Sequence, residues 1–363
     1  MAATISPTAG ISAIATYEPP WVLGNDWFGE TLPRKFVEHS GIVSRHISLE
    51  DEVTMGLRAV ENLHEETRCD LGNCTAVVFV ASSLVPTAVA RKHLNREHVL
   101  CECTHIAAKQ LIGRLGIPAT RVFSINWGCS GYCRAMAIVH RFILPTLTLR
   151  PQQFILLVTV NRTSKIVDFG CKQTAPLFGD MAQATLLAGV ESERHPVRFA
   201  LVHAAAEYQP ADGVFFDFHL RDNVLTPTPG GGRCTTPERL VFSINLMGIA
   251  EAAPRAMADA TAKALRTTGV PPEEVEFVIP HQAGTGIVKL TAMTLERIGV
   301  GGEVINGVTR EVGNISSSSV PYALKQNWGR LKGTIVCPAA GVGRPGRAQV
   351  SQGCIVLKSR GAA

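Results

Sequence analysis

The chain has 363 residues, of which 46% are hydrophobic and 18% charged, with a formal net charge of +5. A sequence of that length and apolar content can bury one large core or two fused medium ones, which excludes a disordered chain. The positive charge is diffuse and contains no block of consecutive Lys and Arg that could track a phosphate backbone, so nucleic acid is not an expected partner.

No stretch reaches the roughly 18 consecutive apolar residues of a membrane helix, and the start MAATISPTAGISAIATYEPP has neither a basic n-region nor an unbroken apolar h-region. The expectation is a soluble, unexported, cytoplasmic protein with no membrane partner. Ten cysteines are scattered through apolar runs such as GTIVCPAAG, unlike the short cysteine-dense scaffolds of secreted proteins, and read as reduced thiols.

In chain order, apolar runs of strand length recur with turn signals at their ends: TAVVFVASS from Thr75, VFSIN from Val122, QFILLVTVN from Gln153, ATLLAGV from Ala184, EFVIP from Glu276 and GTIVCPAAG from Gly333. Helical patterns lie among them: THIAAKQLIGRLG, CSGYCRAMAIVHRFI, MGIAEAAPRAMADATAKALRTTG and TGIVKLTAMTLERIG. The layout is α/β, with strands covered on both faces.

The two halves repeat this order. TAVVFVASS, AAKQLIGRLGI, NWGCSGYCRAMAI and QFILLVTVN correspond in sequence to VEFVIPHQAG, LTAMTLERIGV, GNISSSSVPYAL and GTIVCPAAGVG. Each series reads as strand, helix, a small-residue turn opening a second helix, and strand. The spacing predicts an N-terminal half over 1–184, a connecting and surface region over 185–240 and a C-terminal half over 241–363. The stretch from Tyr208 to Leu240 is turn-rich and reads as irregular.

Three residues carry the expected chemistry. Cys129, in SINWGCSGY, lies where a strand pattern ends and a helix begins; Gly128 is expected to permit a close approach, and the helix N-terminus to favour the thiolate. His281 follows the run EFVIP, at a strand end where polar groups of α/β folds converge. Asn314, in GNISSSSVPYAL, occupies the turn matching that of Cys129, with Gly313 standing where Gly128 stands. As an isolated residue it would be an ordinary helix N-cap; a pseudo-twofold relation of the halves would make it face Cys129. Cys133, one helical turn beyond Cys129, reads as a buried, inert thiol. Cys101, Cys103 and His105 have a zinc-like spacing with no second pair of ligands, so no metal is expected. The cluster PGGGR neither follows a strand nor opens a helix, so neither NAD nor ATP is indicated and no cofactor is expected.

These motifs resemble the β-ketoacyl-[acyl-carrier-protein] synthase III group of the thiolase superfamily. The likeness runs over YEPPWVLGN, SGIVSRHI, WGCSGY, PLFGD, PHQAGTGI, GNISSSSVPYAL and CPAAGVG. It implies the thiolase fold, a five-layer αβαβα sandwich of two duplicated halves, usually a homodimer, using acyl donors on coenzyme A or an acyl carrier protein. It also implies that Cys129 is acylated and that His281 and Asn314 promote decarboxylation of a malonyl-type extender. By the same resemblance the backbone N–H of Cys129 and that of Gly341 form an oxyanion hole, and Arg45, Lys172 and Gln282 bind substrate.

The chain departs from the group where GDMAQA stands for GDGAGA, placing Met181 and Gln183 at glycine positions, and where Gly284 and Gly286 stand for the Asn and Arg that follow HQA. The nearest counterpart of an adenine-stacking aromatic is Lys35 or Phe36. These differences point to a specialised secondary-metabolite or polyketide ketosynthase rather than a fatty-acid initiator. The alternative is an acyltransferase that passes the acyl group to an alcohol or amine with His281 as base and no decarboxylation. A non-catalytic partner subunit should have lost one of the three residues, and all three are present. The loops from Leu84 to Leu100 and from Tyr208 to Leu240 are expected to shape the acyl pocket.

Overall fold

The computed structural model describes residues 7–81, 83, 97–118 and 121–361, with only the backbone of 97–101. Most of the expected pocket loop from Leu84 to Leu100 lies outside them. The first seven strands are β1 (Ala9–Tyr17), β2 (Trp21–Gly24), β3 (Ser44–Ile47), β4 (Cys74–Ala81), β5 (Arg121–Ile125), β6 (Phe154–Arg162) and β7 (Asp180–Gly189). The rest are β8 (Phe199–Pro210), β9 (Phe216–Pro227), β10 (Arg233–Ile244), β11 (Val275–Val278), β12 (Glu303–Val304), β13 (Thr334–Val342) and β14 (Gln349–Ser359).

Ten of these strands join in the order β12-β11-β13-β14-β8-β1-β7-β6-β4-β5. Counted outward from the seam between β8 and β1, the two sides have the same construction. β1 pairs antiparallel with β7 and β7 with β6, whereas β6, β4 and β5 run parallel. β8 pairs antiparallel with β14 and β14 with β13, whereas β13, β11 and β12 run parallel. Only two residue pairs cross the seam, Gly10 with Ala200 and Ile11 with Phe199.

The helices Gly131–Ile138 and Ser319–Gln326 lie between the two five-strand sets. The first touches β4 and β6 on one side and β8, β13 and β14 on the other; the second packs on β1 and β7. Helices Glu52–Thr67 and Glu97–Leu115 cover the outer face of one set, and Leu246–Thr268 and Thr285–Glu296 that of the other. The result is the α/β thiolase fold, with helices, sheet, helices, sheet and helices in five layers. Coverage on both faces explains why β6 is one apolar run rather than an alternation: all of its residues but the last are buried.

The segment 185–240 is more regular than its turn-rich composition implied. It contains the end of β7, all of β8, which is the first strand of the second set, and most of the β9-β10 ribbon. β8 reads FALVHAAAEYQP, where alanines and charged residues hide the strand; its pairing along β14 is what makes it one. The ribbon is real despite Pro237, at which the β9-β10 register skips a pair.

Candidate active site

The nucleophile candidate sits in a turn. β5 ends at Ile125, Cys129 and Ser130 form a bend, and the helix begins at Gly131 with Ser130 as its N-cap. The sulfur therefore lies just outside the first helical turn. Burial pushes the Cys129 thiol above its ordinary value, while the Ser316 hydroxyl, 3.7 Å from Sγ, and the residue's own backbone N–H pull it back. Burial thus acts against the expected pull of the helix end toward the thiolate. The close approach expected at Gly128 is not found there: among the described residues, a Cβ at that position would meet nothing within 4 Å beyond its chain neighbours. It occurs at Gly341 on β13, where a Cβ would stand 2.7 Å from Cβ and 3.2 Å from the backbone N of Cys129. Gly341 is thus placed beside the N–H with which it was expected to form an oxyanion hole.

A single row of residues supports this turn from below. Gly341, Ser351 and Tyr208 are direct partners across β13, β14 and β8, so they share one face of the sheet. Gly341 lies against Cys129, Ser351 accepts a hydrogen bond from the Ser130 hydroxyl at 2.9 Å, and Tyr208 stacks on Trp127 with ring centroids 4.1 Å apart. The Trp127 Nε1–H donates to Ser130 Oγ at 2.8 Å. Arg134 lies over the indole and Arg344 over the phenol ring, closing the stack at both ends.

His281 extends β11 beyond its last ladder residue, its N–H donating to Pro338 O on β13 at 2.8 Å. The side chain is buried. Nδ1 lies 2.7 Å from Ser319 Oγ, Nε2 has no partner among the described residues, and burial pulls the imidazole down to about 4. It is therefore neutral near pH 7.

Asn314 follows Gly313, whose φ of +73° favours glycine. Its N–H donates to Leu177 O and its carbonyl accepts from Gly179 N–H, a short bridge to the segment before β7. Its Oδ1 accepts the N–H of Ser316 at 2.9 Å. With that oxygen engaged by its own turn, the amide group is fixed in orientation. The turn Asn314 to Ser319 then reaches the other two residues, through Ser316 to Cys129 and through Ser319 to His281. The bend at Ser316 is strained, with φ +49° at a non-glycine residue.

The residues expected to bind substrate are placed differently. Arg45 is fully buried, donating to Leu23 O, Asn25 Oδ1 and Pro176 O, with its guanidinium over Phe28. It ties the β2-β3 ribbon to the loop before β7. Gln282 is also buried, its Nε2 donating to Pro280 O and Ile305 O, so it holds the loop behind His281. Lys172 alone of the three is exposed, on a turn. Cys133 is buried with its Sγ 3.4 Å from Cys337 O. His105 Nδ1 lies 3.3 Å from Ser124 Oγ. The serines Ser316, Ser319, Ser130 and Ser351 were missed; the run SSSS after Asn314 was the available signal for the first two.

A cysteine at a strand-to-helix turn, opposed by the equivalent turn of a duplicated half, defines the thiolase class of enzymes. The chain matches the family described as 3-oxoacyl-[acyl-carrier-protein (ACP)] synthase III over residues 123–205, and its C-terminal domain over residues 265–350. The β-ketoacyl-[acyl-carrier-protein] synthase III of Sulfurovum sp. (strain NBC37-1) is 24% identical over 336 residues, 89% of each chain. The solved structure of a β-ketoacyl-[acyl carrier protein] synthase III from Thermus thermophilus superposes with a TM-score of 0.70 at 25% identity, covering 97% of this chain and 100% of the other. The priming β-ketosynthase from the R1128 polyketide biosynthetic pathway has the same fold, with a TM-score of 0.70 at 20% identity over 97% of each chain. The chain is thus similar to the β-ketoacyl synthase III family of condensing enzymes over both matched segments, and it has the thiolase fold.

Proposed function

We propose that the protein loads an acyl group onto Cys129 and condenses it with a malonyl-type thioester by decarboxylation. The Cys129 sulfur attacks the carbonyl of an acyl thioester carried by coenzyme A or an acyl carrier protein; the new thioester forms as the carrier thiol leaves with the proton. The backbone beside Gly341 receives the developing oxyanion. A malonyl-type thioester then loses CO₂, its bonding electrons moving onto the thioester oxygen as an enolate. His281 Nε2 and Asn314 Nδ2 are the donors for that oxygen. The enolate carbon attacks the acyl-Cys129 carbonyl, forming the carbon–carbon bond and releasing the thiolate.

The observation that carries this reading is the turn from Asn314 to Ser319, which touches both Cys129 and His281 and so brings nucleophile and donors to one place. A buried imidazole held near pH 7 in its neutral form suits a hydrogen-bond donor to an enolate better than a strong base. The role in secondary-metabolite biosynthesis rests on Met181, Gln183, Gly284 and Gly286 at positions where the family carries other residues. A coenzyme A or carrier-protein donor and assembly as a homodimer belong to the same reading.

The test uses malonyl thioester labelled in its free carboxyl group, with Cys129 first acylated to completion as judged by intact mass. Release of labelled CO₂ and a β-ketoacyl product is the expected result. Discharge of acyl-Cys129 by an alcohol or amine, with no labelled CO₂, replaces condensation with acyl transfer.

A further inference from the structure

The role of His281 depends on which of its ring nitrogens carries the proton, and the hydrogen bonds around Ser319 decide this. Ser319 is the first residue of the helix Ser319–Gln326 and is buried. Its Oγ accepts the backbone N–H of Gln282 at 3.3 Å and lies 2.7 Å from His281 Nδ1. A serine hydroxyl has one proton to give and lone pairs to receive. If Nδ1 carried hydrogen, Oγ would receive two N–H groups, and its own buried proton would lose the imidazole as its acceptor. If Nδ1 is bare, every group around the Ser319 hydroxyl is matched: Gln282 donates to Ser319, Ser319 donates to Nδ1, and the ring proton resides on Nε2, free for a ligand.

We infer that Ser319 is a positioning residue that holds His281 in its Nε2–H tautomer, so that the imidazole meets substrate as a hydrogen-bond donor. Nε2 is buried and has no partner among the described residues, as expected of a donor whose acceptor arrives with the substrate. The same accounting argues against the competing chemistry. A general base for an alcohol or amine needs a lone pair on the nitrogen that faces the substrate, and this arrangement places the lone pair on Nδ1, against Ser319. Gln282 takes part indirectly. Its side-chain amide is anchored to Pro280 O and Ile305 O, which fixes the backbone N–H that occupies Ser319 as an acceptor. The inference deepens the proposed condensation and rests on it for the kinetic effect, though not for the tautomer itself.

The experiment records two-bond ¹⁵N–¹H correlations of the full-length protein labelled with ¹⁵N-histidine, without substrate, near pH 7.5. His281 is assigned by its disappearance in His281→Gln. A protonated Nε2 with a bare Nδ1 is expected, and a protonated Nδ1 overturns the inference. In parallel, Ser319→Ala should lower malonyl decarboxylation about 10- to 100-fold, the range seen when the outer partner of a functional histidine is removed, while acylation of Cys129 keeps its rate. Ser319→Thr, which retains the hydroxyl, should restore most of the decarboxylation. Unchanged decarboxylation in Ser319→Ala would also overturn the positioning role. If wild-type protein releases no CO₂ but shows Nε2–H, the tautomer assignment stands and the condensation reading falls.

Discussion

The turns at Cys129 and Asn314 are counterparts in the two halves, yet they are held in different ways. The Cys129 turn has open space at Gly128 and is braced from the opposite half, by Gly341, Ser351 and Ser316. The Asn314 turn is clamped at its backbone, with Gly313 in the left-handed region against Arg45 and with Leu177 and Gly179 bonded to Asn314. Those residues belong to the first half. Each of these two turns is therefore set in position by the opposite half, whereas His281 is held within its own half by Ser319 and Pro338.

The comparison is broken most severely by removing the nucleophile. Cys129→Ala should acquire no acyl mass from an acyl-thioester under conditions that label the wild type fully, as read by intact mass and a peptide map; a full label on the variant would show that the thiol lies elsewhere. Asn314→Ala should reduce condensation by roughly 10²- to 10³-fold, as for the loss of one oxyanion donor. Its acylation of Cys129 should stay close to wild type, and an equal fall in both steps would mean that the turn only supports the cysteine.

Stability then separates the two glycines. Gly313→Ala forces a side chain into the left-handed region and against Arg45, and should cost about 1–3 kcal/mol. Gly128→Ala has room and should change stability by no more than about 0.5 kcal/mol. Urea midpoints of the two variants measure the difference, and equal losses would contradict the asymmetry. A further effect is on pH dependence. The folded-state value of His281, about 4, lies below the ordinary 6.5, so between these values the unfolded chain takes up a proton that the folded chain refuses. Stability is undiminished by this group above pH 6.5 and falls as the pH drops toward 4, by up to about 3 kcal/mol. His281→Gln should accordingly lose less stability than wild type between pH 7 and pH 4.5. Asp180, pushed up to about 6 by burial, acts in the opposite direction but is common to both proteins, so the difference isolates His281.

The turns at Cys129 and Asn314 and the duplicated order were legible because both leave local marks. β4, β6 and β13 are unbroken apolar runs, and Cys129 and Asn314 each stand at a strand-to-helix change of period. β1, β8 and β14 were not recognised, since their strand character comes from pairing with distant segments rather than from composition. The enclosure of Arg45 was hidden for a related reason. Its carbonyl partners are Leu23 and Pro176, 22 and 131 residues away, and no local pattern announces that a guanidinium will be enclosed. The hydroxyls of Ser316 and Ser319 were unreadable because four consecutive serines look alike until the turn assigns each a direction.

The strand order also governs the sequence of events during synthesis. β1 requires β7, and β8 requires β14, so each five-strand set is closed by its own first and last strands. The set nearer the N-terminus can close once the ribosome has released Gly189, while the other must wait for the strand that ends at Ser359. Until then Cys129 lacks the folded neighbours Gly341, Ser316 and Ser351 that surround its turn, so under the proposed reading the capacity to condense arrives only with the final strand.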